Sequence, residues 1–174
     1  MVEALFELVG EDVLRPTAQQ VAARAGVGIR SVFRHFEDMD TLYAEMDARL
    51  RSEADPLLRG APPAGTIELR GRALVAQRTA LFERIAPYKR SGNLQRGSSR
   101  YLQTTHQGLV RELRVDLRRW LPELAEAPQG IADALELVTS FEAWDRLRVE
   151  QRLSASRARA ALEGSVLALL RGLR

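Results

Sequence analysis

Residues 17–36, TAQQVAARAGVGIRSVFRHF, constrain the fold of this chain more than any other stretch. Thr17 is a good helix N-cap, and Gln20 three residues later completes a capping box, in which each residue satisfies a backbone donor of the other. Val21, Ala22 and Ala25 fall on one face of the helix that follows. Gly26 comes directly after it, where a left-handed backbone closes a helix and glycine adopts that conformation cheaply. Val27 is the apolar residue of the turn. A second helix is predicted from near Gly28, with Val32 and Phe36 four apart on one face. Its other face carries Ile29, Arg30, Ser31, Phe33, Arg34 and His35. Two short helices joined by a tight turn read as a helix-turn-helix.

The rest of the chain has helical spacing throughout. Val2, Leu5, Phe6 and Val9 share a face in the first nine residues, and residues 10–16 form a connector ending at Pro16. A fourth helix is predicted with Asp38 as N-cap. It carries Thr41, Leu42, Met46 and Leu50, runs to about Glu53 and ends at Asp55-Pro56. Residues 59–66, RGAPPAGT, are a Gly/Pro-rich loop. Thr66 caps a long helix through Ala86, stopped by Pro87, with Leu74, Leu81 and Ile85 on its buried side. Residues 88–99 are polar and Gly-rich and are expected to be a loop with one short helix near residues 93–95. Ser99 starts a helix to about Trp120, with Leu102, His106, Leu109, Leu113 and Leu117 at helical spacing. Pro122, Pro128 and Gly130 mark a further break. Two last helices are expected over residues 131–152 and 154–173, the second capped by Ser154. Their stripes are Ala134, Leu135, Leu137, Val138, Phe141, Trp144 and Leu147 in one, and Ala161, Leu162, Val166, Leu169, Leu170 and Leu173 in the other. No run alternates long enough to make a strand, and there is no internal repeat. The fold class is therefore all-α, with a head over residues 1–50 and a body over residues 51–174.

Hydrophobic residues make up 45% of the 174 and charged residues 28%, so the chain can bury a core and is not disordered. No apolar run approaches the roughly 18 residues that span a bilayer, so no membrane partner is expected. Glu3 and Glu7 interrupt any signal-peptide pattern. Cysteine is absent, which excludes disulfides and thiol chemistry and suits a cytoplasmic location. The formal charge of +3 is a mild hint of a polyanionic partner. Its distribution says more. Between Val13 and Phe36 the charged residues are Arg15, Arg24, Arg30 and Arg34, with no acid.

The run VAARAGVGIRSVFRHFEDMDTLYAEM resembles the DNA-binding signature of TetR/AcrR transcriptional regulators. The features that match are an apolar-Ala pair (Val21-Ala22), a Gly-Val turn (Gly26-Val27), a short recognition helix over residues 28–34, the aromatic-His/Tyr-Phe run ending at Phe36, and a following helix with an early Leu42. The similarity covers about the first third of the chain. It implies a three-helix head whose second motif helix enters the major groove of double-stranded DNA. Arg30 and Ser31 are then candidates for reading bases, with Gln19 able to reach an adenine edge and Ile29 a thymine methyl. Thr17, Arg34 and His35 are candidates for phosphate contact, with Gly28 and Phe33 on the same surface. The chain departs from the family at Phe33, where Tyr is usual, and at Met39, where Lys is usual. The family's first helix is longer and follows a basic arm, whereas this sequence starts at its amphipathic part.

The resemblance also implies a body that dimerises and binds a small molecule. In the family the last two helices form a four-helix bundle with their twin, and the DNA operator is a near-palindrome. Leu137, Phe141, Trp144, Ala161, Leu162, Val166 and Leu169 are the candidates for such a homodimer interface, with Ala161, Gly164 and Ala168 small enough for close approach. A self-contained helical core is the plainer reading of the same residues. Candidate walls of a pocket for an unknown effector are Phe82, Tyr88, Tyr101, Leu102, His106, Leu109, Trp120, Phe141 and Trp144. Each is also explained by ordinary packing, His106 as a satisfied core histidine. The expected function is a DNA-binding transcriptional regulator, a repressor released from DNA by its effector. The alternative is a dimeric helical adaptor with weak or lost DNA binding.

Catalysis is not expected. His35 and His106 are the only histidines, which excludes a His-rich metal site, and no carboxylate–histidine spacing suggests another. There is no G-x-S-x-G and no G-x-x-x-x-G-K. Residues 26–31 start like a dinucleotide fingerprint but lack its third glycine and follow a helix instead of a strand. No catalytic residue, metal or cofactor is assigned.

Overall fold

The computed structural model describes residues 1–35 and 39–173. Among these residues it is built from helices alone: α1 Val2–Gly10, α2 Ala18–Ala25, α3 Ile29–His35, α4 Met39–Leu58, α5 Ile67–Gln95, α6 Arg100–Trp120, α7 Gln129–Val138, α8 Phe141–Asp145 and α9 Ala155–Arg171. Short 3-10 turns follow α5 and α6, and a π-helical turn, Arg146–Glu150, extends α8. Phe36, Glu37 and the expected cap Asp38 lie outside the described residues.

The chain forms two compact units. The first comprises residues 1–54 and 84–108, the second residues 55–83 and 109–174. Helices α4, α5 and α6 each contribute a segment to both. The break after Ala54 lies near the end of the expected head, but the first unit also draws in residues 84–108 from far along the sequence. Aromatic packing is the reason. Tyr88 stacks on Phe6 of α1, with ring centroids 4.3 Å apart and planes inclined by 26°. Both rings join a core of Leu5, Val9, Val21, Val32, Tyr43 and Met46. The Tyr43 hydroxyl bonds Gln95, and the Tyr101 hydroxyl donates to Asp47 at 3.0 Å.

In the second unit α5, α6 and α9 carry fully buried apolar stripes: Leu74 and Leu81, Leu117, and Ala158, Val166 and Leu170. Gly71 allows α9 to approach α5, since a Cβ there would stand 2.8 Å from Leu170 Cδ1 and 3.3 Å from Val166 Cγ1. Gly164 has no such role, as a Cβ there meets nothing within 4 Å. A buried ion pair links α5 to α6: Arg78 Nη2 donates to Asp116 Oδ2 at 3.1 Å and to the Leu113 carbonyl at 2.6 Å. Burial lowers the Arg78 pKa to about 10, with Asp116 acting in the opposite direction, so the guanidinium stays charged at neutral pH.

Three helix boundaries differ from those expected. Pro56 does not end α4, which runs to Leu58; its last turn is closed by Arg59, whose backbone N–H bonds the Asp55 carbonyl and whose side chain pairs with the Asp55 carboxylate at 2.8 Å. Pro87 does not end α5, and residues 88–95 are helix instead of loop. Proline removes one backbone donor, but here the residues beyond it are held by burial: Tyr88 is 7% and Ser91 2% exposed. The helix expected over residues 131–152 is interrupted at Thr139-Ser140. Thr139 Oγ1 donates back to the Leu135 carbonyl at 2.7 Å, and Ser140 restarts the chain as the N-cap of α8, accepting from the Ala143 N–H. The caps Thr66, Ser99 and Ser154 each accept a backbone N–H from the third residue of their helices.

Candidate nucleic-acid interface

The helix-turn-helix is assembled by its own local chemistry. Thr17 is extended (φ −81°, ψ 156°), and its Oγ1 accepts from the Gln20 N–H at 3.2 Å while Gln20 Oε1 accepts from the Thr17 N–H at 2.8 Å. Gly26 closes α2 at φ 64°, ψ 30°, and the Val27 N–H bonds the Ala22 carbonyl at 3.1 Å. The turn then bonds the Ser31 N–H to the Gly28 carbonyl at 2.9 Å. Val21 and Ala22 from α2 and Val32 from α3 enter the core of the first unit.

Ile29, Arg30, Phe33 and Arg34 are exposed on α3, with Ser31 half-buried. Their spacing, i, i+1, i+4 and i+5, places the four on one side of the helix. Gly28, Thr17 and Gln19 are exposed as well. The backbone of His35 closes α3; its side chain is outside what is described.

The four arginines of this region are not equivalent. Arg24 is bound by one acid of α1 and the acid that caps that helix: it donates to Glu11 at 3.0 and 2.8 Å and to Glu7 at 3.3 Å. Those hydrogen bonds hold the Glu11 carboxyl below its ordinary range and raise Arg24 above its own. Arg15 donates to the Leu94 carbonyl at 3.3 Å. Arg30 and Arg34 have no carboxylate partner among the described residues. Among the described residues the two guanidiniums of α3 therefore carry positive charge with no carboxylate beside it, next to the exposed side chains of Ile29 and Phe33. In the sequence Arg24 counts toward the positive charge of the motif; in the fold the acids beside it neutralise it.

The candidate effector residues divide between the units. Tyr88, Tyr101, Leu102 and His106 belong to the first, where Tyr88 is core and His106 Nδ1 lies 2.5 Å from Lys89 Nζ. Burial raises the pKa of both Tyr88 and Tyr101. Phe82, Leu109, Trp120, Phe141 and Trp144 belong to the second. There Phe82 and Phe141 meet edge to face at 5.7 Å, and Trp144 Nε1 donates to Glu83. Trp144 also lines an open groove of about 500 Å³ together with Ala76, Ala80 and Ala160.

The candidate interface residues divide by burial. Phe141, Trp144, Leu162 and Val166 are 5% exposed or less and are packed inside the second unit. Leu137, at 67%, is open to solvent, Ala161 is exposed and Leu169 half-buried. Val115 and Val149 are further exposed apolar side chains of this unit; nothing in the sequence sets them apart, since their helical spacing reads equally as core.

Among the described residues no group of three or more acids or histidines is placed to hold a metal, and no helix is long and apolar enough to cross a membrane.

No protein-family model matches the chain, and no curated protein does. Solved structures do match. A transcriptional regulator from Rhodococcus sp. RHA1 is 22% identical and superposes with a TM-score of 0.72, over 98% of this chain and 94% of that one. A TetR transcriptional regulator from Rhodococcus sp. RHA1 is 20% identical, with a TM-score of 0.59 over 97% and 92%. At this identity the likeness is one of fold: the chain has the all-helical fold of TetR regulators.

Proposed function

We propose that this protein is a sequence-specific double-stranded DNA-binding regulator of transcription. The observation that carries the reading is the pair of arginines, Arg30 and Arg34, exposed on the outward side of a capped helix-turn-helix with no carboxylate partner among the described residues. Phosphates supply most of the affinity for such a surface, and a guanidinium directed at a guanine edge supplies sequence preference. Arg30, Ser31 and Gln19 read bases in this scheme. Thr17, Arg34 and the backbone near Gly28 position the helix on phosphates.

The chain acts as a homodimer on a near-palindromic operator and represses until an effector enters the body. The fold shared with TetR regulators supports this, as do the exposed Leu137, Val149 and Ala161 on the elements expected to pair. The DNA reading is tested by selecting bound duplexes from a random library at two salt concentrations, with wild type and Arg30→Ala. A recovered inverted repeat, altered in the variant, is the expected result. A folded, helical protein that enriches nothing would replace this reading with that of a dimeric adaptor.

A further inference from the structure

Phe33 is the most exposed aromatic side chain of the described first unit, at 62%, and it stands on the same helix as Arg30 and Arg34. It does not stand alone. Ile29, one turn earlier on the same side, is 39% exposed, and Val27 in the turn is 38% exposed. Single exposed apolar residues are ordinary, but three on a seven-residue helix and its turn give this face an apolar strip. On the same helix stand the two guanidiniums of Arg30 and Arg34, exposed and without a carboxylate partner among the described residues. A partner for this face must therefore be anionic at its edges and apolar in its middle. The major groove of DNA fits both requirements where thymine lies in it, because the C5-methyl is the one apolar group that the groove displays.

We infer that Phe33, with Ile29 beside it, is a specificity-determining residue that packs on thymine methyl groups, so that the preferred site carries thymine at a fixed offset from the base pair read by Arg30. This rests on the DNA-binding reading above and adds the chemistry of one position to it. Phe33 has no hydroxyl with which to bond a phosphate or a base edge. Its contribution is dispersion and the removal of apolar surface from water, and it is realised only where a methyl meets it.

The test uses the intact protein and the duplex recovered by selection. Each thymine of one half-site is replaced in turn by deoxyuridine, which deletes the methyl and leaves every hydrogen bond in place. Affinity is read by fluorescence anisotropy. One deoxyuridine position is expected to weaken wild-type binding about 3–5-fold, the scale of one buried methyl group. Phe33→Ala is expected to bind thymine and deoxyuridine duplexes equally, Phe33→Leu to keep part of the discrimination, and Arg30→Ala to keep all of it at lower affinity. Because Phe33 is exposed, thermal melting of Phe33→Ala should match wild type, which separates a missing methyl interaction from a damaged fold. A duplex bound selectively but with no thymine sensitive to methyl removal overturns the inference and leaves the DNA reading standing. So does sensitivity that survives in Phe33→Ala. Failure to recover any duplex overturns both.

Discussion

Arg24 of α2 holds Glu11, the residue that caps the end of α1, by two hydrogen bonds of 3.0 and 2.8 Å, and a third bond at 3.3 Å takes in Glu7. A guanidinium engaged in this way is not available to a phosphate. Arg34→Ala should therefore flatten the dependence of DNA affinity on salt, by about one unit in the slope of log affinity against log salt for the phosphate left unneutralised, whereas Arg30→Ala should chiefly relax sequence preference. Arg24→Ala should leave that slope unchanged. Binding measured across a salt series checks this, and equal slopes for Arg24→Ala and Arg34→Ala would refute the division of charge described above.

The same pair predicts a pH dependence. Hydrogen bonding to Arg24 lowers the Glu11 pKa below its usual value near 4.5. A depressed carboxylate stabilises the fold above its unfolded pKa, and that contribution is lost as pH falls through the folded one. Both groups are solvent-exposed, so the effect is small. Glu11→Gln should melt below wild type at pH 6, and the two curves should converge as pH drops below 4.5. A difference that persists unchanged into acid would exclude the linkage.

The parts of this fold that could be read from sequence are those decided within a few residues. The Thr17–Gln20 box, the left-handed Gly26 and the caps Thr66, Ser99 and Ser154 are local hydrogen-bond exchanges, and each is formed. Pro56 and Pro87 misled because their rule is also local, while the helix beyond Pro87 is held by a ring 82 residues away in sequence, Tyr88 against Phe6. The break at Thr139-Ser140 had a local signal, a hydroxyl pair able to cap in both directions, hidden by an uninterrupted apolar stripe. At the candidate site the side chains were legible, but the neutralisation of Arg24 was not, since it depends on where α1 lies. The outward placement of Phe33 was legible from its spacing on α3, and the side chain is 62% exposed.

Gly26 gives a backbone test without steric complication. A Cβ placed there meets nothing within 4 Å, so any cost of Gly26→Ala comes from the φ of 64° alone. Left-handed backbone costs a residue with a Cβ about 1–2 kcal/mol. Gly28 is equally open and has no such constraint, so Gly28→Ala should change stability by less than about 0.5 kcal/mol. Urea denaturation of the two variants checks the contrast. Equal losses would show that α2 does not depend on its left-handed closure.

In the second unit, Asp116 and Arg78 should respond unequally to removal of the partner. Arg78 is 1% exposed and Asp116 is its carboxylate, whereas Asp116 also accepts from Arg119 at 2.6 Å. Asp116→Ala strands a buried cation and should cost about 3–5 kcal/mol. Arg78→Met leaves Asp116 its second, more exposed arginine and should cost less. Denaturation midpoints establish the order, and a larger loss for Arg78→Met would mean that the pair is held by something other than charge.

The route of the chain sets a practical limit on dissecting this molecule. The first unit is woven from two separate stretches, residues 1–54 and 84–108. No single cut in the polypeptide releases it whole. A fragment ending near residue 54 would carry the entire helix-turn-helix and yet leave Phe6 facing water where Tyr88 had been. Weak DNA binding by such a fragment would report a damaged core, not a poor reading surface.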